Sequence, residues 1–306
     1  MSKRDLEINN ILLQAEALVS SNWLHAIHIL KKATEDYPRE RSLYLTMGDI
    51  YMRQRNFEQA IGSYQKALIL DPKDEYLKFI MGNCYLSLND YKMALYYYDQ
   101  VSFDTPEMYY NKALAYAYDN EHELSIHYLK LLLRQVNDNL NVYYFLVEEM
   151  LRLHKYEDAI KQLDEMEKHL GIHQYEQILK GIVWNFKKNW LKSYMAFKTA
   201  DELSPLIKPD HLQYYAQACY HIGKIDQGIQ ILEKAITVNP YISILHEELL
   251  RLYLQKEDLE AAEKTLNRAL VYVDKNNPIL LLLKAKIYNL KTEKEIKLHN
   301  KKDTDD

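Results

Sequence analysis

The stretch His122-Glu123-Leu124-Ser125-Ile126-His127 is the chain's nearest approach to a metalloprotease motif. Two zinc ligands on one helix need positions i and i+4, about 40° apart around the axis; i and i+5 lie about 140° apart and cannot share an ion. His169 and His173 do stand four apart, but Gly171 between them holds a helix-ending position, so the pair straddles a turn. Cys84 and Cys219 are far apart and match no ligand spacing. The adjacent acids Glu148-Glu149 and Glu247-Glu248 point in different directions on a helix and read as surface charge. There is no glycine-rich phosphate loop, no Gly-x-Ser-x-Gly elbow and no Cys-x-x-Cys pair. No catalytic residue, metal site or cofactor is therefore assigned.

The elements that carry these residues follow from composition. The 306 residues are 48% hydrophobic and 27% charged, the balance of a folded chain. Only 7 Gly and 7 Pro are present, too few for a sandwich or a turn-rich α/β enzyme, whereas Tyr reaches 27. A net charge of −5 argues against broad binding to nucleic acid or to an anionic membrane. The longest aliphatic run, 279–283, is far short of the roughly 20 residues that span a bilayer. No secretory apolar segment is visible near Met1, so the cytoplasm is the expected compartment.

Internal spacing organises the rest. Pro38, Pro72 and Pro106 stand 34 residues apart, as do Gly48 and Gly82, and Ala26, Ala60 and Ala94. Units start at residues 7, 41, 75, 106, 140, 174, 209 and 243, and an incomplete ninth starts at 277. Six of the seven spacings are 34 or 35; the third unit is 31 residues long, which predicts a shortened turn around Ser102-Phe103-Asp104-Thr105. Position 20 of the unit is small in all eight: Ala26, Ala60, Ala94, Ser125, Ala159, Ser193, Gly228 and Ala262. Position 24 is large in all eight: Leu30, Tyr64, Tyr98, Leu129, Leu163, Phe197, Leu232 and Leu266. Position 8 adds Gly48, Gly82, Ala113, Gly181 and Ala216. Small beside large at fixed offsets is what two closely approaching helices require.

The unit at 41–74 carries Tyr44, Met47, Gly48, Tyr51, Ala60, Tyr64, Ala67 and Pro72, and it resembles a tetratricopeptide repeat (TPR). The resemblance extends over residues 7–276. It implies an all-α, right-handed superhelix, or α-solenoid, of eight helix pairs. Residues 1–299 then form a single array, with a capping helix at 277–299 that uses Leu280, Leu283 and Ile287, and residues 300–306 form a disordered tail. Helix 1 is unusually apolar through Ile8, Ile11, Leu12 and Val19, which marks it as a partner or self-association surface.

The resemblance also implies that the first helix of each unit lines a concave face, chiefly through positions 2, 5, 6, 9, 12 and 13. Carried onto this sequence, that face holds Asp49, Phe79, Asn83, Tyr110, Leu114, Tyr144, Glu148, Ile178, Ile182 and Gln217. Tyrosine combines a flat apolar body, a polar tip and only two χ angles to freeze, which suits recognition. The other reading of the same stripe is that it packs internally. The carboxylate clamp of chaperone-adaptor arrays resembles Lys at position 5 and Arg at position 6; no unit here has either, so that partner class is excluded. The expected function is a non-enzymatic scaffold for a protein or peptide, with no nucleic acid and no membrane insertion. The alternatives are a self-association module, which would make the chain a homo-oligomer, and a regulatory subunit of a separate enzyme.

Overall fold

A computed structural model describes residues 3–302, with side chains described through residue 296. Among the described residues every regular element is a helix. The chain divides after Leu153 into two compact units.

The first unit holds α1 (Lys3–Asp36), α2 (Arg41–Arg53), α3 (Phe57–Leu70), α4 (Glu75–Ser87), α5 (Tyr91–Tyr98), α6 (Pro106–Tyr118), α7 (His122–Gln135) and α8 (Leu140–Arg152). The second holds α9 (Tyr156–Leu170), α10 (Gln174–Phe186), α11 (Trp190–Leu203), α12 (Pro209–His221), α13 (Ile225–Val238), α14 (Ser243–Gln255), α15 (Leu259–Tyr272) and α16 (Pro278–Lys302). Even-numbered helices from α2 to α14 begin at 41, 75, 106, 140, 174, 209 and 243, the first residues of the repeating units. Side-chain caps account for several of these starts: Asp74 accepts from the Leu77 amide at 2.8 Å and Thr105 from the Met108 amide at 3.2 Å. Pro106 and Pro209 occupy the first helical turn, where no amide donor is needed.

Position 15 supplies a feature the residue types conceal. Arg55, Asn89, Asn120, His154, Lys188, Gly223 and Glu257 all have positive φ, between 56° and 78°. The following amide then reaches back five residues, as from Asn56 to the Tyr51 carbonyl at 2.9 Å and from Asp258 to that of Tyr253 at 3.0 Å. This left-handed closure satisfies a carbonyl at the helix end and reverses the chain. Glycine suits it best, yet it stands only at Gly223.

Four expectations need correction. In the first repeat the turn is replaced by a kink at Asn22 (φ −155°, ψ 75°), where Asn22 Oδ1 accepts from the His25 amide at 3.1 Å. The small residue facing the second half of α1 is consequently Ala15, fully buried, while Gln14 is exposed. Ile11, Leu12, Leu18 and Val19 pack onto the core shared with α2, so the apolar face of helix 1 is occupied within its own unit. In the third repeat the residues are lost from the helix and not from the turn. α5 has 8 residues where α3 has 14, and the segment after it extends from Asp99 to Thr105. Phe103 from that segment packs edge-on against Phe79, with ring centroids 5.8 Å apart. At the far end α16 begins at Pro278 and runs to Lys302, so residues 300–302 are helical; the remainder of the tail, 303–306, lies outside the described residues.

The small and large positions meet as close packing demands. In the first unit a Cβ on Gly48 would fall 2.2 Å from Tyr64 Cε1, and one on Gly82 2.4 Å from Tyr98 Cε1. In the second, a Cβ on Gly181 would fall 2.7 Å from Phe197 Cε2. Position 24 is aromatic only in these three repeats, and position 8 is glycine only in these three. Leu129 and Leu232 are paired instead with Ala113 and Ala216, because a narrower side chain leaves room for one methyl.

Candidate functional site

The first helices of each repeat carry the face on which the ten candidate residues were placed. In the first unit Asp49 is exposed and its Oδ1 accepts from the Tyr64 hydroxyl at 2.7 Å. Asn83 Oδ1 accepts from the Tyr98 hydroxyl at 2.7 Å and from Asn111 Nδ2 at 2.9 Å. Position 9 therefore anchors the phenol of position 24, whose body is buried. Burial first, then the neighbouring Asp49 carboxylate, pushes the Tyr64 pKa up, so the hydroxyl remains a donor.

The aromatic wall separates into two classes. Phe79 is only 6% exposed and packs on Tyr98 and Phe103 at 5.9 and 5.8 Å. In the second unit Ile178, 4% exposed, belongs to the core with Phe197, Tyr215 and Leu212. These two residues are core, contrary to expectation; for Phe79 the reason is the Phe103 segment folded over it. Tyr110 is 40% exposed and meets Phe145 edge-on at 6.1 Å. Leu114 on the same helix and Tyr144 and Glu148 on α8 are half-buried. In the second unit Ile182 and Gln217 are half-buried.

Aromatic stacks at positions 17 and 13 of successive repeats were not anticipated. Tyr91 stacks on Tyr118 at 5.1 Å, and in the second unit Tyr156 stacks on Phe186 at 5.6 Å and Trp190 on His221 at 3.8 Å. Phe186 also meets Tyr214 at 5.8 Å. The signal was available: position 17 reads Trp23, Phe57, Tyr91, His122, Tyr156 and Trp190 through six repeats.

The residues that suggested chemistry are engaged structurally. His122 Nδ1 lies 2.8 Å from Glu149 Oε2, and Arg152 Nε lies 3.2 Å from Glu149 Oε1. Glu149 is 2% exposed, so it is a buried, paired carboxylate and not surface charge. Glu247 is buried as well, accepting from Ser243 Oγ at 2.7 Å and Asn277 Nδ2 at 3.2 Å. His169 lies in α9 and His173 caps α10, with Gly171 (φ 83°) in the turn between them. Lys180, buried on α10, faces Asp164 at 2.9 Å, Glu176 at 2.7 Å and Glu167. Burial alone would lower the Lys180 pKa, but the Glu167, Glu176 and Asp164 carboxylates outweigh it and hold the amine charged. Cys84 and Cys219 are buried free thiols, each pushed up to about 12 by burial, and so are poor nucleophiles at neutral pH. Among the described residues no three His, Cys, Asp or Glu side chains are arranged to hold a metal ion, and no helix is long and apolar enough to cross a membrane.

Comparison with known proteins bears on the family. The sequence model of the tetratricopeptide repeat matches residues 42–74. No curated protein matches the chain by sequence. Among solved structures, the C-terminal part of a TPR repeat-containing protein from Cytophaga hutchinsonii is similar at 16% identity and TM-score 0.61, over 76% of this chain and 96% of that one. A tetratricopeptide repeat protein from Parabacteroides merdae is similar at 15% identity and TM-score 0.56, over 81% of this chain and 98% of that one. A chain of the APC/C hetero-tetramer Cut9–Hcn1 is similar at 17% identity and TM-score 0.52, over 90% of this chain and 55% of that one. At such identities the likeness is one of fold. One repeat matched in sequence, the same helix register carried from Arg41 to Tyr272 and the likeness to the solved structures together give this chain the tandem helix-pair fold of tetratricopeptide-repeat arrays.

Proposed function

We propose that the chain is a non-enzymatic, cytoplasmic scaffold that binds a segment of a partner protein, extended or helical, on the exposed face of its first helices. Tetratricopeptide repeats generally mediate protein–protein interaction. The observation that carries the finer reading is Tyr110: 40% exposed and held edge-on by Phe145, with half-buried Leu114 one turn on along α6 and half-buried Tyr144 preceding Phe145 on α8. An aromatic ring oriented by its neighbours yet open to solvent loses little freedom when a partner covers it. The partner surface is mixed, apolar with hydrogen-bonding groups. A terminal carboxylate is not its anchor, because position 5 offers no lysine and position 6 no arginine.

Capture of partners on the purified chain, identified by mass spectrometry and repeated with Tyr110→Ala and Tyr144→Ala, tests this. Loss of one captured protein with both variants, at unchanged folding, supports the reading. Capture that is indifferent to both substitutions rejects it.

A further inference from the structure

α16 repeats the register of the helices before it. Pro278 and Ala285 stand seven apart, as do Pro209 and Ala216 in α12 and Pro106 and Ala113 in α6. The ninth unit therefore begins at 278, one residue later than the spacing suggested. In this register Leu280, Leu283 and Ile287 face the preceding repeat, and all three are buried with Leu250, Leu266 and Ala269. Leu281, Ala285 and Tyr288 fall at positions 4, 8 and 11, which in α12 are Leu212, Ala216 and Cys219. Those three are buried at the seam with α13. On α16 the same positions are open: Leu281 is 46% exposed, Tyr288 72% exposed, and Ala285 is exposed between them.

The open face continues where α16 leaves its unit. The helix has 25 residues against 14 in α15, and residues 292–296 are all exposed. Leu281, Ala285, Tyr288, Thr292 and Ile296 form one stripe within about 80° of arc, roughly opposite the buried face of Leu280, Leu283 and Ile287. A helical segment of about 12 residues without packing is marginal in water.

We propose that this stripe is the interface for a second copy of the chain, paired antiparallel about a two-fold axis near Tyr288 and Asn289. The sequence is self-complementary about that point. Leu281 meets the partner copy's equivalent of Ile296, and Ala285 meets that of Thr292, small against small. Antiparallel helices pair the same flank of each. Lys284 and Glu295 share one flank, so each Lys284 faces Glu295 of the second copy. Leu281, Ala285 and Tyr288 border an open groove with Glu263, Leu266 and Asn267 of α15, and a second helix can lie along it.

Sedimentation equilibrium of the full chain tests the pairing. The expected mass is twice the 36.5 kDa chain mass at about 100 μM protein. Leu281→Lys and Tyr288→Lys should each restore the single-chain mass with an unchanged helical circular-dichroism spectrum, because both side chains are exposed. Lys284→Glu should also dissociate the dimer. Adding Glu295→Lys to that variant should restore it. A wild-type chain that stays monomeric overturns the proposal. So does a dimer untouched by Tyr288→Lys, or a Lys284→Glu/Glu295→Lys double variant that remains monomeric.

Discussion

Gly48 and Tyr64 are matched to within a methyl group: a Cβ on Gly48 would sit 2.2 Å from Cε1 and 2.5 Å from Cδ1 of the ring. The Tyr64 hydroxyl is held at Asp49 by a 2.7 Å hydrogen bond, so the ring cannot simply retreat.

Gly48→Ala should therefore destabilise the first unit by about 1–3 kcal/mol through overpacking. Adding Tyr64→Leu recreates the alanine–leucine pairing of Ala113 with Leu129, and should recover part of the loss. A double-mutant cycle by urea unfolding measures this; coupling below about 0.5 kcal/mol would contradict the packing argument.

The left-handed turn position offers stabilising substitutions. Arg55 (φ 56°) and Glu257 (φ 59°) adopt a conformation that costs an L side chain about 1–2 kcal/mol. Glycine there relieves that strain but loses more chain entropy on folding. The expected net gain is roughly 0.5–1 kcal/mol for Arg55→Gly and Glu257→Gly, and less for Asn89→Gly because asparagine tolerates this region. Gly223→Ala should lose stability. Midpoints of chemical unfolding check the order.

Tyr110 and Phe79 share position 5 but should respond in opposite ways. Phe79→Ala removes a buried ring and should cost folding about 3–5 kcal/mol. Tyr110→Ala removes a ring that is 40% exposed; it should cost folding less, and partner binding about 1–3 kcal/mol. Melting curves beside affinities separate the two, and equal stability losses would assign Tyr110 to the core.

Acid should weaken the second unit through its histidines. His246 is fully buried on α14, with Nε2 donating to the Pro240 carbonyl at 2.8 Å and Nδ1 without a hydrogen-bond partner. Burial above all pushes its pKa down, Arg268 adding to the effect, and burial does the same to His211, with help from Lys208. A base whose folded pKa lies below its unfolded value takes up a proton on unfolding. The stabilisation is full above the ordinary histidine value of about 6.5 and is lost as pH falls through and below it. Denaturation between pH 8 and 5 should show that slope, and His246→Gln should reduce it. A slope unchanged by the substitution would exclude His246 as its source.

The sequence by itself determined the helical register. A side chain missing at position 8 and a bulky one at position 24 are local facts of residue type, and close packing lets them be satisfied in few ways. That is why Gly48, Ala60 and Tyr64 could be read together before any coordinates. The aromatic face of the first helices was legible in the same manner, as a list of positions. Which of its members are open was decided by tertiary structure. Phe79 and Tyr110 have the same position and similar side chains, but the early end of α5 brings Phe103 down on the first and leaves the second exposed. The buried carboxylate of Glu149 depends on His122, 27 residues away in sequence. The left-handed turns were hidden because Arg55, Lys188 and Glu257 carry no turn signal; the geometry of joining two packed helices imposes that backbone on them. Sequence placed Leu281, Ala285 and Tyr288 at helical spacing, but only the fold showed that their counterparts in α12 are buried while they are not.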